Sequence, residues 1–110
     1  MRQSGVLAAA GLWALDQQSS RIADDHRRAK KLATALDELP VWSARVPETN
    51  IILLEPSEPE LAAEELCAKL RQAGILCHPN RYREVRLVIH LGIDDDDVET
   101  IVQRAGQALA

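Results

Sequence analysis

The spacing of apolar residues changes along the chain, and each spacing predicts a different element. Residues 4–15 are apolar on nearly every side, which predicts a helix that other protein covers on most of its faces. After a polar break at residues 16–20, the chain carries one apolar stripe at three- and four-residue intervals, which predicts a long amphipathic helix over residues 20–39 that Pro40 ends. The stripe consists of Ile22, His26, Ala29, Ala33 and Leu36.

The middle of the chain alternates between short extended segments and a helix. Residues 41–45 and 49–54 read as strands, and the second is so uniformly apolar that it should be central and buried. A helix is predicted over residues 60–73, with Gly74 as its left-handed cap and a short strand at 75–77 that stops before Pro79. The buried stripe of that helix consists of Ala63, Leu66, Cys67 and Leu70.

The last third begins with a regular alternation over residues 85–91. Arg86, Val88 and His90 fall on one face of this predicted strand, and the apolar set falls on the other. That apolar set is Val85, Leu87, Ile89 and Leu91. Asp94 then caps a final helix whose buried stripe is Val98, Ile101, Val102, Ala105 and Leu109.

The order of these elements predicts an α+β fold. Two helices precede the sequence strand, strand, helix, strand, strand, helix, which is typical of a small antiparallel sheet with helices on one face. A length of 110 residues fits a single domain spanning 1–110.

Composition removes several classes of function. A net charge of −4 argues against generic nucleic-acid binding, because phosphates require an excess of cations. Residues 5–15 imitate a secretory signal, but Leu15 leads directly into polar residues with no small-residue cleavage site, and the run is too short to span a bilayer. Two cysteines make no disulfide framework, so reduced thiols in the cytoplasm are the simpler interpretation.

Arg86 is the strongest candidate for a functional side chain. Its guanidinium stands in the middle of a strand and requires an anion, and its planar fork suits a carboxylate. The alternative is an ion pair with a local acid such as Glu84. His90 shares the face of Arg86 and could act as a base or as a structural hydrogen-bonding group.

Two stretches carry a resemblance to a known family. The run from Met1 to Leu12 resembles the stretch that follows a glycine run in the threonine aldolases, which are pyridoxal-phosphate lyases of the larger β-eliminating lyase family. The run from Arg86 to Leu91 resembles the Arg-Leu-Val-Thr-His-Leu motif near the C-terminus of that family. Ile89 stands where threonine is usual, and Gly92 where aspartate is common.

The resemblance implies a C-terminal small domain like that of fold-type I pyridoxal-phosphate enzymes. In the family, the enzyme cleaves a β-hydroxy amino acid such as threonine to glycine and an aldehyde, as a homo-oligomer. Arg86 matches the arginine that binds the substrate carboxylate, and Arg2 matches one that lies near the cofactor phosphate. Thr49 and Asn50 match a pair that starts a strand, for which a structural role is favoured.

In the family, the domain that binds the cofactor lies upstream of the matching region. In this chain, the three lysines fall on polar helix faces: Lys30, Lys31 and Lys69. None of these lysines suits the buried, low-pKa aldimine lysine that a pyridoxal enzyme needs. We therefore expect the 110-residue chain to bind no pyridoxal phosphate and to show no aldolase activity by itself.

Two other functions stay open. The same fold could serve as a small-molecule module, with Arg86 receiving an amino-acid carboxylate. The first helix could instead drive association through Val6, Leu7, Leu12 and Trp13. Metal binding is not indicated, because Cys67, Cys77 and His78 lack zinc-ligand spacing and the acidic run at residues 94–97 suits a helix start.

Overall fold

The predicted order of elements appears in the computed structural model, which describes residues 1–109. A 3₁₀ turn at Ser19–Arg21 joins the first two helices. The elements are α1 (Ser4–Gln18), α2 (Ile22–Asp37), β1 (Trp42–Ala44), β2 (Ile51–Pro56), α3 (Ala63–Gln72), β3 (His78–Pro79), β4 (Val85–Val88) and α4 (Asp95–Ala108).

The strands form one antiparallel sheet in the order β1-β2-β4-β3. Strand β2 pairs with β4 from Ile51 opposite Val88 to Leu54 opposite Val85. Alternate strand residues are buried beneath α2, α3 and α4, and the remaining ones lie on an open face. The α+β class, with helices on one face of an antiparallel sheet, is therefore confirmed.

The core between sheet and helices is aliphatic apart from one aromatic ring. Trp42 is 3% exposed, and its indole Nε1 donates a hydrogen bond of 3.0 Å to the carbonyl oxygen of Ala105 in α4. This bond ties the edge of the sheet to the last helix and satisfies a buried polar atom. The largest side chains that are almost fully buried are Leu32, Leu36, Ile52, Leu54, Leu66, Leu70, Val85, Ile89 and Val98.

Ion pairs join α2 to α4 along the solvent-facing side of their contact. The carboxylate of Asp95 accepts hydrogen bonds of 2.9 and 3.1 Å from the Arg27 guanidinium, and Arg28 approaches it to 3.5 Å. Hydrogen bonding by Arg27 is the main cause that lowers the pKa of Asp95 from 3.8 to about 2. Asp94 begins α4 with a capping box in which its side chain and that of Asp97 each accept from the other's backbone N–H.

These ion pairs predict an acid-dependent loss of stability. Because the pKa of Asp95 is depressed in the folded chain, its contribution is complete above about pH 4 and is lost as the pH falls towards 2. Thermal melts of the wild-type chain and Asp95→Asn between pH 6 and 2 check this. The variant should melt below the wild type at neutral pH, and the two midpoints should converge in acid. A constant difference across the range would contradict the assignment.

Helix α1 is the largest departure from the expected burial. The prediction of a covered helix at residues 4–15 is wrong within the described chain, because none of the α1 residues is buried. Its apolar side chains point in all directions, so no single stripe can pack against one neighbour. The helix also continues through the polar residues 16–18, and the expected break occurs only at Ser19–Arg21.

The predicted stripe of α2 is confirmed at Ala29, Ala33 and Leu36, which are buried, and differs at its first two positions. Ile22 is 48% exposed and His26 is half-buried, whereas Leu32 joins the core. Asp25 is also buried, which its ion pair of 2.7 Å with Arg21 allows. Packing against β1 and α4 therefore adds Asp25 and Leu32 to the buried face and leaves the first turn of the predicted stripe more open.

Several element boundaries also differ. Helix α3 begins at Ala63, after Pro59, and Cys67 is half-buried. Strand β3 lies at His78–Pro79 and not at 75–77, because an edge strand tolerates a proline that donates no hydrogen bond. Strand β2 is central as predicted but open on one face, and Leu91 is 67% exposed since β4 ends at Val88. The left-handed cap at Gly74, with φ +81, is confirmed.

Candidate functional site

The open face of the sheet carries Arg86 at its middle. The strand alternation predicted over residues 85–91 holds as far as His90: Arg86, Val88 and His90 are exposed, and Val85, Leu87 and Ile89 are buried. Arg86 lies opposite Leu53 of β2 on one side and His78 of β3 on the other. The two flanking strands therefore hold the backbone of Arg86, while its guanidinium faces solvent.

Arg86 forms no ion pair or side-chain hydrogen bond within residues 1–109, and Glu84 is engaged elsewhere. The Glu84 carboxylate is 3% exposed and accepts a hydrogen bond from the side-chain amide of Asn80. The guanidinium groups of Arg45 and Arg81 approach it to 3.8 and 3.9 Å. The alternative of an Arg86–Glu84 pair is therefore not observed, and the Arg86 guanidinium is available to an external anion.

A depression of about 290 Å³ on the open face is lined by Leu53, the cross-strand neighbour of Arg86, but not by Arg86 itself. Its other lining residues are Ser43, Arg45, Glu55 and Glu84. Sequence reasoning did not associate Ser43, Arg45 or Glu55 with the site. These residues come together because the register of β1 against β2 places Ser43 opposite Glu55, and no local sequence pattern predicts that register.

His90 has a structural partner. Its Nδ1 accepts a hydrogen bond of 3.0 Å from the backbone N–H of Gly92, which in the neutral ring places the proton on Nε2. A Cβ atom on residue 92 would lie 3.0 Å from Cε1 of the His90 ring, so this arrangement favours glycine there. The geometry supports the structural interpretation of His90, which shapes the turn that follows the Arg86 strand.

Thr49 and Asn50 fix the start of β2 next to the end of β4. The Asn50 side chain donates a hydrogen bond of 2.7 Å to the carbonyl oxygen of Ile89, and the backbone N–H of Ile89 donates to the Asn50 carbonyl at 2.9 Å. Thr49 Oγ1 accepts from the N–H of Ile51 at 3.2 Å. These contacts position the strand that carries Arg86, as a structural role requires.

Arg2 lies apart from this face. It is exposed and precedes α1, and Gln3 next to it adopts a left-handed backbone with φ 58. The 15 residues of α1 span about 22 Å, and none of them is buried against the sheet. The structure therefore does not bring Arg2 and Arg86 into one site.

The described residues do not fit a pyridoxal-phosphate site. Lys31 pairs with Glu99 at 3.2 Å, Lys30 is exposed, and Lys69 is half-buried in the last turn of α3. No glycine-rich cradle accompanies any of these lysines. Nor do residues 1–109 hold a group of three or more side chains suited to a metal ion, and the acids at 94–97 serve the capping of α4.

Comparison with known families relates the chain to one group of enzymes. The model of the β-eliminating lyase family matches residues 1–59. The chain is 40% identical over 105 residues to a probable low-specificity L-threonine aldolase 2 of Arabidopsis thaliana, which covers 93% of this chain and 30% of that protein. It is 35% identical over 101 residues to the low specificity L-threonine aldolase of Escherichia coli K12, covering 92% and 29%. The chain thus spans about a third of the length of these relatives.

Solved structures support the fold. The ornithine aminotransferase of Toxoplasma gondii superposes with a TM-score of 0.66 at 20% identity, covering 84% of this chain and 23% of that one. Another structure of the same aminotransferase shows partial occupancy of pyridoxal phosphate at its active site. At this identity the likeness concerns the fold alone. None of the described helices is long and apolar enough to cross a membrane.

Proposed function

The chain belongs to the β-eliminating lyase family, and we propose that it supplies the substrate-carboxylate site of a threonine-aldolase-like lyase. The proposed reaction is the cleavage of a β-hydroxy amino acid such as threonine to glycine and an aldehyde. Similarity to two threonine aldolases along more than 90% of this chain supports that choice of substrate class.

The exposed and unpaired guanidinium of Arg86 is the observation that carries the proposal. An arginine in a paired strand has its backbone fixed on both sides, so the root of its side chain occupies a defined place on the open face of the sheet. A carboxylate bound there in bidentate fashion fixes the orientation of the α-carbon relative to the sheet. Orientation of this kind lowers the entropic part of a reaction barrier.

Pyridoxal phosphate is the cofactor that we propose for the larger protein, and its lysine and phosphate cradle would come from other residues than those described. Arg2 stays a proposal as a phosphate contact, supported by its place at the start of a helix, where positive charge and backbone N–H groups favour anions. Assembly as a homo-oligomer is also proposed, because the exposed apolar residues of α1 would be covered by further protein.

A chimaera tests this function. The segment of the Arabidopsis aldolase that aligns with this chain is replaced by residues 1–110, and retro-aldol cleavage of L-threonine is followed. We expect activity within about tenfold of the parent enzyme, since 40% identity favours a common fold and Arg86 is the residue proposed to bind the carboxylate. The isolated chain is expected to give no turnover above a heat-denatured control. An inactive but folded chimaera that still binds the cofactor would contradict the proposed role.

Reductive labelling distinguishes the isolated chain from a complete cofactor site. After incubation with pyridoxal phosphate and borohydride, Lys30, Lys31 and Lys69 should show only scattered, substoichiometric labelling, because all three lie on helix surfaces. A single stoichiometric adduct, together with sustained turnover, would mean that the chain builds an aldimine site by itself.

A further inference from the structure

Two thiols lie in contact between α3 and the chain that enters β3. The Sγ atoms of Cys67 and Cys77 are 3.4 Å apart, and both cysteines are half-buried and free. They are the only cysteines of the chain, so each has one possible partner within it. Spacing alone does not predict their contact, because a separation of ten residues is compatible with many loop geometries.

The end of α3 explains why these two cysteines meet. Gly74 adopts φ +81, and the N–H of Ile75 donates to the Leu70 carbonyl oxygen at 2.8 Å, which closes the helix with a left-handed cap. The chain then reverses and returns along the helix that it has just left. Cys77 consequently passes Cys67, which lies in the middle of α3.

We propose that Cys67 and Cys77 form a thiol–disulfide exchange site that reacts with small-molecule disulfides such as glutathione disulfide and closes an intramolecular disulfide. The inference rests on the contact between the two sulfur atoms and is independent of the proposed lyase function.

The chemistry balances in two steps. The Cys67 thiolate attacks one sulfur of the small disulfide, so that a Cys67 mixed disulfide forms and the first small thiolate leaves. Cys77 then loses its proton to solvent, its thiolate attacks the Cys67 sulfur, the mixed disulfide breaks, and the second small thiolate leaves and takes up a proton. Two protein thiols are oxidised to one disulfide, and the small disulfide is reduced to two thiols.

The order of the steps follows from the surroundings of Cys77. Burial is the main cause that raises its pKa to about 12, and the hydrogen bond to Cys67 adds to the rise. Burial disfavours the Cys77 thiolate and its S–H points at the Cys67 sulfur, so we place the first attack on Cys67. The exchange is expected to accelerate as the pH rises, because both attacks require a thiolate.

A Cys67–Cys77 disulfide would link α3 to a segment that lines a cavity. Residues 74–76 line a cavity of about 310 Å³ together with the end of β4 and one side of α4. Cys77 also precedes His78, the cross-strand neighbour of Arg86. A disulfide would therefore hold the short strand β3 in place beside the Arg86 strand and restrict the movement of residues 74–77.

Intact mass and thermal melting test the site on the full 110-residue chain. The reduced chain is incubated with glutathione disulfide without air, digested and mapped. We expect a loss of two hydrogens, about 2 Da, a linked peptide pair containing Cys67 and Cys77, and a melting temperature raised by roughly 5–15 °C that dithiothreitol reverses.

Single variants provide the matched controls. Cys77→Ser should stop at a mixed disulfide on Cys67, Cys67→Ser should react far more slowly at Cys77, and neither variant should show a rise in melting temperature. The proposal is wrong if the wild-type chain gives any of three products after incubation with glutathione disulfide. These are a chain that stays reduced, a chain that accumulates as the mixed disulfide, and chains that are linked only to one another.

Discussion

Trp42→Ala is expected to lower the free energy of unfolding by about 3–5 kcal/mol. Trp42 is 3% exposed, so its removal leaves a large cavity between the sheet and α4. The change also removes the donor for the Ala105 carbonyl oxygen, which lies at 3.0 Å in the buried interior. A loss of this size is a large part of the roughly 5–15 kcal/mol that stabilises an ordinary domain.

Urea denaturation followed by far-ultraviolet circular dichroism measures this effect, and the second tryptophan of the chain is the matched control. Trp13 is 61% exposed on α1, so Trp13→Ala should change the unfolding free energy by less than about 0.5 kcal/mol. Trp42→Phe should fall between the two, because it retains most of the packing and loses the hydrogen bond. Equal losses for both alanine variants would show that the core does not depend on Trp42.

The face of Arg86 could be predicted from the sequence because strand alternation is a local property. Arg86 is the one polar residue in the apolar stretch 85–89, and the two-residue period of a strand assigns it to the face opposite Val85 and Leu87. The stripe of α4 and its start at Asp94 were equally readable, since capping and helical spacing act within a few residues. The face of Arg86 and the start at Asp94 are confirmed; in the stripe, Val98 and Ala105 are buried, and Ile101, Val102 and Leu109 are half-buried against the core.

Features that depend on distant partners could not be predicted. Whether α1 is buried depends on the protein surface that packs against it, and an apolar sequence does not identify that surface. The engagement of Glu84 with Asn80 and Arg45 depends on the loop before β4 and on the register of β1. The contact of Cys67 with Cys77 depends on how the chain leaves Gly74. None of these long-range contacts produces a periodic pattern or a characteristic spacing of residues in the sequence.

Substitution of Arg86 is expected to affect the reaction far more than the fold. In the active chimaera, Arg86→Ala should lower kcat/KM for L-threonine by roughly 100-fold, which corresponds to the loss of about 3 kcal/mol from a charge-assisted, bidentate carboxylate contact. Arg86→Lys should lose about tenfold, because an ammonium group retains the charge and loses the fork. Steady-state kinetics over a range of threonine concentrations separates effects on KM from effects on kcat.

Arg104 provides the control that separates a specific contact from a general loss of positive charge. It is exposed on α4 and, like Arg86, has no ion pair within residues 1–109. Arg104→Ala should leave kcat/KM within about twofold of the parent chimaera. Because Arg86 is exposed and holds no other side chain, the isolated chain with Arg86→Ala should melt at nearly the wild-type temperature. A strongly destabilised Arg86→Ala chain, or equal kinetic losses for the two alanine variants, would remove Arg86 from the substrate site.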